Sequence, residues 1–436
     1  SQGRQRDEPR CACRQPAPDA PHVVVISIDG LRPTTYTTRG PAQVPTLRRL
    51  ASSGAWAEGV IGVLPSNTYP SHTTLVTGVP PAVHGIYDNR ILDIEDRSGG
   101  SFYWYARDIA VPTLASAVKA RGLTTAIVNW PVSVDAEADW LVPEFGGVYD
   151  HPIWANLIRA LSQPRGLLDR YEAQGGRLPW PPADADYTAV AAWLLRTHQP
   201  HLTLLHILDV DDREHVPGIE TPEAQAAIEI ADAQVKVMMD AARAAGIADT
   251  TTIVVVSDHG FQATETELRP NAALREAGLL TTDDRGAIAT WDAYFQTLGG
   301  SGYVMLSRPD DAALQARVAD VLTRLASDPA NGIATVWRRE DLRRMGADPR
   351  AVFGLDMRDG FYTGAWPEPL RTRSGSRGGH GFAPTRPAMH ASLIMSGPLV
   401  AARGSLGVVR MTQIAPTIAA WFGATLSPAA DTPLTQ

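Results

Sequence analysis

The chain has 436 residues, 44% of them hydrophobic, which is ample for a large core in one big domain with an insertion or in two domains. Its formal net charge is −8 and no basic cluster stands out, so binding to a nucleic-acid duplex, which needs a concentrated positive face, is not expected. No apolar run reaches the roughly 18 residues of a membrane span, and Cys11 and Cys13 are the only cysteines, too close for an unstrained bridge, so the fold does not rest on disulfides. No feature specifies an oligomeric state.

Residues 1–20 are polar and rich in Pro and Arg, and read as a flexible leader. With Ser rather than Met at the start, they suggest a removed signal peptide or a trimmed end; the first implies a periplasmic or secreted protein. The run His22-Val-Val-Val-Ile-Ser-Ile-Asp29-Gly30 is apolar, β-branched and closed by Gly, the pattern of a buried strand. Residues 45–55 have helical spacing, and 112–120 repeat it, with Gly122 as a stop before a strand over 124–129. Residues 130–186, rich in Trp, Pro and Gly, read as long loops over the carboxyl edge of a sheet. A further buried strand spans 201–208, a long Ala-rich helix 222–245, and a strand from Thr251 stops on Asp258-His259-Gly260. Residues 269–377 carry strands, helices and turns of their own, after which 391–396 read as a strand and 413–422 as a helix. The alternation predicts an α/β fold, with a mostly parallel central sheet covered by helices on both faces. Its core spans 21–268 and 378–436, and 269–377 form a smaller inserted cap.

A buried strand has no use for a charge, yet two of these strands end on Asp29 and Asp258, and α/β sheets bind ligands at the carboxyl ends of their strands. Asp29, Asp258 and His259 are therefore candidate metal ligands; the simpler reading is a pair of capping or loop-starting aspartates. In the segment 64–78, Pro70 suits the first turn of a helix. That sets Thr68 just before a helix N-terminus, where backbone N–H groups stabilise an anion. A hydroxyl there, beside a divalent cation, can attack phosphorus or a carbonyl; its simpler role is an N-cap. Asp211 and His215, four apart, share one side of a helical turn and form a usual zinc pair. His380 lies in Gly379-His380-Gly381, where glycines let the backbone bend and keep the imidazole accessible. Asp211, His215 and His380 could hold one cation, and Asp29, Asp258, His259 and Thr68 another. Such an Asp/His shell suits zinc over magnesium or calcium. Two cations about 4 Å apart form a clamp for in-line displacement at phosphorus.

Together these segments resemble, in order, the motifs of the type I phosphodiesterase/nucleotide pyrophosphatase family of the alkaline phosphatase superfamily. Asp29-Gly30 resembles its opening metal motif. Residues 65–72, with Leu75-Val-Thr-Gly78 and His84-Gly-Ile-Tyr-Asp-Asn89, resemble its nucleophile segment. Asp211…His215…Gly218, Ser257-Asp258-His259-Gly260 and Gly379-His380-Gly381 resemble the remaining ligand motifs. The resemblance implies an alkaline-phosphatase-like core and two divalent cations, expected to be Zn2+. It implies Thr68 as the nucleophile, Asn89 as the amide that holds a non-bridging phosphate oxygen, and Tyr69 as an aromatic that stacks on the substrate. Ser71 stands where the family often has Asn. Glu214 stands where it usually has Gly, adding negative charge near the site. His72 and His84 read as structural, and His151, His198, His206 and His390 have no motif behind them.

The reaction so implied is metal-dependent hydrolysis of a phosphate diester or phosphoanhydride, a small-molecule substrate, through a phosphothreonine intermediate. The alternative is a phosphate monoesterase or phosphonate hydrolase on the same two-metal scaffold, and a remote one is a non-catalytic binding protein. Lys119 and Lys236 are the only lysines, both in helical segments, so a lysine clamp for a dianionic monoester is not expected.

Overall fold

A computed structural model describes residues 20–95, 100–146, 153–401 and 403–434. The expected leader up to residue 19, Cys11, Cys13 and His151 lie outside the described residues. The centre of the fold is an eight-stranded sheet. Four buried strands pair in parallel in the order Thr251–Val256, His22–Ile28, Leu202–Ile207, Thr125–Val128. Trp140–Val142 extends one side in parallel, whereas Leu393–Ser396 joins Thr251–Val256 antiparallel, which makes the sheet mixed at that side.

Strand alternation divides the core in two. Val24, Ile26 and Ile28 pack with Val190, Leu194, Ala231 and Val235 of the helices Asp184–His198 and Pro222–Ala244. Val23 and Val25 share the opposite layer with Leu75, Leu114, Val118 and Ile414, from the helices Thr68–Thr77, Leu114–Ala120 and Ile414–Trp421. Burial on both faces is why these strands read as unbroken β-branched runs. Parallel pairing also aligns their ends. Ile28 stands opposite Ile207 and Ser27 opposite Val256, so three chain segments leave the sheet side by side, at Asp29, Asp209 and Asp258.

A second layer is built from the antiparallel strands Ala293–Thr297, Ser301–Leu306, Phe353–Met357 and Ile333–Arg338. The helix Ala312–Ser327 covers it, around a core of Phe295, Val304, Val318, Leu322 and Leu355. A smaller sheet straddles both expected cap boundaries. Its middle strand, Gln262–Leu268, pairs with Gly360–Thr363, with Arg371–Arg373 and, at its start, with Gly378–Gly379. The edges of Gln262–Leu268 need partners, and residues 360–363 and 371–373 supply them, so the segment 269–377 is tied to the strand before it by pairing.

Residues 130–186 are not a run of long loops. They hold the strand Trp140–Val142, the helices Ile153–Leu161 and Leu167–Ala173, and the start of Asp184–His198. The first two helices are only 9 and 7 residues long, too short between Pro-rich turns for a clear period to show in the sequence.

Candidate active site

Three strand ends and one glycine-flanked turn meet above the sheet. His259 Nε2 lies 3.3 Å from Asp29 Oδ1 and 3.1 Å from Asp258 Oδ2. The same nitrogen is 3.9 Å from Asp211 Oδ1, which is 3.6 Å from His380 Nε2. His215 Nε2 approaches the other oxygen of Asp211 at 3.6 Å. The rings of His259 and His380 stack with centroids 3.6 Å apart. Two sets of ligand atoms each fall within 4.8 Å of one another: Asp29, Asp258 and His259, and Asp211, His259 and His380. His259 therefore stands between the two sets, whereas the sequence reading gave it to one. The pairing of Gly379 with Gln262 is what carries His380 back against it.

Apart from Asp211, each candidate ligand is gripped at one atom and free at the other. Nδ1 of His259, His380 and His215 donates to the carbonyls of Gly260, Ser66 and Gly378 at 3.1, 2.9 and 2.9 Å. A carbonyl only accepts, so Nδ1 carries the proton and Nε2 keeps its lone pair. Asp258 Oδ1 accepts the backbone N–H groups of Gly30 and His259, both at 3.1 Å. Asp29 Oδ2 lies 2.9 Å from His206 Nε2. The opposite atoms, Asp29 Oδ1, Asp258 Oδ2, Asp211 Oδ1 and His259 Nε2, are buried with no hydrogen-bond partner among the described residues. Burial above all, with the Asp258 charge adding to it, pushes the Asp29 and Asp211 carboxyls well above the usual carboxylate range. Orphaned oxygens and imidazole nitrogens, crowded together and fixed from behind, fit a divalent cation's needs.

Thr68 is the first residue of its helix, one position further in than the sequence suggested; Asn67 is the N-cap. Two contacts tie this helix start to the ligands. The Ser66 carbonyl accepts from His380, and one turn along His72 Nδ1 donates to the Thr68 carbonyl at 2.8 Å while lying 3.6 Å from Asp258 Oδ2. His72 Nε2 accepts from the Ser27 hydroxyl at 2.8 Å. Asn89 Oδ1 accepts the Tyr69 N–H at 2.8 Å, capping the helix from outside. The Ser71 N–H is bonded to the Asn67 carbonyl and Pro70 has no N–H. Among the described residues this leaves the Thr68 N–H as the unpaired amide of the first turn.

Residues 23–351 match the model of the family described as type I phosphodiesterase / nucleotide pyrophosphatase. The chain belongs to this family. Human ectonucleotide pyrophosphatase/phosphodiesterase family member 1 is 26% identical to it over 266 residues, 59% of this chain and 25% of the human protein. The venom phosphodiesterase of Macrovipera lebetinus is 23% identical over 253 residues, 55% of this chain and 25% of its own. The match thus spans about a quarter of the length of these curated relatives. Human ectonucleotide pyrophosphatase/phosphodiesterase 5 superposes with a TM-score of 0.68 at 18% identity, over 94% of this chain and 97% of that one. The murine counterpart, an inactive variant in complex with AMP, gives 0.67 at 17%, over 94% and 96%. These structural likenesses bear out the α/β, alkaline-phosphatase-like fold.

Within this family frame three side chains differ from expectation. Tyr69 offers no open face for stacking: it is 2% exposed and its ring lies 5.6 Å from that of Phe102. Its hydroxyl donates to Glu144 and accepts the Gly146 N–H at 3.0 Å, so the side chain turns away from the ligands into the 130–146 segment. His206, given no role by its sequence context, is the residue behind Asp29. It stands opposite Ser27 in the parallel register, and its Nδ1 donates to the Asn129 carbonyl at 3.0 Å. A lone His inside a buried apolar strand was the available signal. Glu214 is fully buried, but its Oε1 lies 3.3 Å from Arg32 Nε, so a cation meets the extra charge. His84 is structural as expected, bonded through Thr74 and Ile86.

Proposed function

We propose that this chain hydrolyses phosphate diesters or phosphoanhydrides of small molecules, with Thr68 as the nucleophile. The observation that carries the reading is the helix start at Thr68, bonded to His380 through the Ser66 carbonyl and set beside Asp258 through His72. Asp29 and Asp258 would hold one divalent cation and Asp211, His215 and His380 the other, with His259 between them. Three carboxylates and three imidazoles suit zinc. Bound there, the cations supply Lewis-acid charge beside the Thr68 hydroxyl and the phosphoryl oxygens.

The chain's own residues account for the rest. Thr68 Oγ bonds to phosphorus as the P–O bond to the leaving alcohol or phosphate breaks, and the proton given up by Oγ ends on the departing oxygen. The product of that step is a phosphate ester on threonine. Water then bonds to phosphorus, the Thr68–phosphorus bond breaks, and the hydroxyl is restored. With its Oδ1 committed to the helix, Asn89 presents Nδ2 to a non-bridging oxygen, and the Thr68 N–H adds a second donor at the positive end of the helix.

Both lysines are engaged elsewhere, Lys119 with Asp139 at 2.8 Å and Lys236 with Asp240 at 2.5 Å. That favours a diester over a dianionic monoester. The AMP in the murine neighbour and the phosphodiesterase names of the relatives support a nucleotide-sized substrate. Those names also mark ecto- and venom enzymes, and among the described residues no helix is long and apolar enough to cross a membrane. We infer an extracytoplasmic place of action.

Thr68→Ala tests the reading. Turnover of a chromogenic diester should fall by about 1,000-fold or more, with metal content unchanged by elemental analysis. Near-wild-type turnover would sink the nucleophile. Comparing kcat/KM for a diester and a monoester of one leaving group checks the substrate class.

A further inference from the structure

One carboxylate outside the ligand cluster gathers three separate segments. Asp88 Oδ1 accepts from Asn67 Nδ2 at 2.9 Å and from the backbone N–H of Asn89 at 2.8 Å. Asp88 Oδ2 faces Gln296 Nε2 at 3.3 Å. Asn67 is the residue before Thr68, Asn89 is the proposed phosphate-holding amide, and Gln296 lies on the cap strand Ala293–Thr297. A carboxylate only accepts, so both side-chain amides must turn their NH2 groups to it. The Oδ1 of Asn67 then faces away, close enough to Gly381 that a Cβ there would meet it at 3.0 Å.

This arrangement has a consequence for the nucleophile helix. Asn67 occupies the N-cap position, where its own side chain would ordinarily cap, yet it makes no capping bond because Asp88 holds it. The capping passes to Asn89 Oδ1, which takes the Tyr69 N–H. That choice decides which end of the Asn89 amide is left to face a phosphate. We propose that Asp88 is a positioning residue for phosphoryl transfer, setting the orientation of Asn89 and the place of Thr68 and tying both to the cap through Gln296. The role rests on the function proposed above.

The test is a rescue. Asp88→Ala removes the acceptor from Asn67, Asn89 and Gln296. We expect kcat on a diester to fall by about 30-fold, the scale of a sub-ångström misplacement, with KM within about threefold. Asp88→Asn keeps one acceptor for Asn67 and the Asn89 N–H, and Gln296, whose Oε1 has no partner among the described residues, can turn that oxygen to the new NH2. This variant should recover most of kcat. Thermal unfolding of all three proteins, metal-loaded, follows stability in parallel. Recovery of both Tm and kcat in Asp88→Asn supports the positioning role. Recovery of Tm without kcat, or a kcat in Asp88→Ala equal to wild type, overturns it and leaves the proposed function standing. A wild type without diesterase activity overturns the function, and this role with it.

Discussion

The two halves of the site are built differently. Asp29, Asp258 and His259 are 0% exposed, and two of them lean on further imidazoles, Asp29 on His206 and Asp258 beside His72. Asp211, His215 and His380 stand nearer the surface, with the His215 side chain 25% exposed. Their imidazoles donate to the backbone carbonyls of Gly378 and Ser66, and the His380 ring also stacks on His259. The first half grows from two adjacent strand ends and inherits the stiffness of the sheet. The second comes from a helical turn and a glycine-flanked segment, held by hydrogen bonds to backbone carbonyls far along the chain. A closed half and a half more open to solvent would suit the proposed reaction, whose second step needs water.

That contrast can be broken by deleting a ligand from each half. Asp258→Asn should lower kcat/KM by about 1,000-fold, because no water can enter to replace the lost oxygen. His215→Ala should cost about 100-fold at limiting metal, and much of it should return with excess zinc as water fills the vacated position. Titrating activity against zinc compares the two. Equal losses, or a rescue of Asp258→Asn by zinc, would erase the distinction between the halves.

A smaller effect sharpens the contrast from behind. His206 touches Asp29, the Asn129 carbonyl and the ring of His72, and among the described residues no contact takes it to the open half. His206→Gln should weaken metal binding by roughly tenfold, as loss of a supporting residue commonly does. Competition with a chelator reads it, and an unchanged affinity would make His206 mere packing.

The closed half was legible because a charge that ends a buried apolar run is an anomaly a single sequence displays. Asp29 and Asp258 are such charges. The partnership of His259 with both ligand sets was not legible, because it depends on Gly379 pairing with Gln262 across the intervening segment 269–377. His206 was hidden for the opposite reason: one polar residue in a strand looks tolerated until the register sets it opposite Ser27. Tyr69 turned away from its expected place because of Glu144, 75 positions along the chain. Among the elements, 222–245 carried enough turns to announce itself, whereas the helix Leu167–Ala173 carried two.

The Tyr69–Glu144 contact supplies the mildest test, since among the described residues Glu144 bonds to Tyr69 and Ser133 and to neither half. Burial pushes the Glu144 carboxyl from 4.5 up to about 7. Between those values the unfolded chain releases this proton while the folded protein keeps it. Stability therefore falls as pH rises from about 4.5 to about 7, by at most about 3 kcal/mol, and is level above. Glu144→Gln deletes the titration and keeps an acceptor for the Tyr69 hydroxyl. In urea unfolding of the metal-loaded protein, the variant should gain stability relative to wild type between pH 5 and pH 8. Turnover should change little, because neither cluster of ligands touches Glu144. A difference between the two proteins that does not vary with pH would show that Glu144 ionises normally in place, with the Tyr69 hydroxyl and the Gly146 backbone carrying its charge.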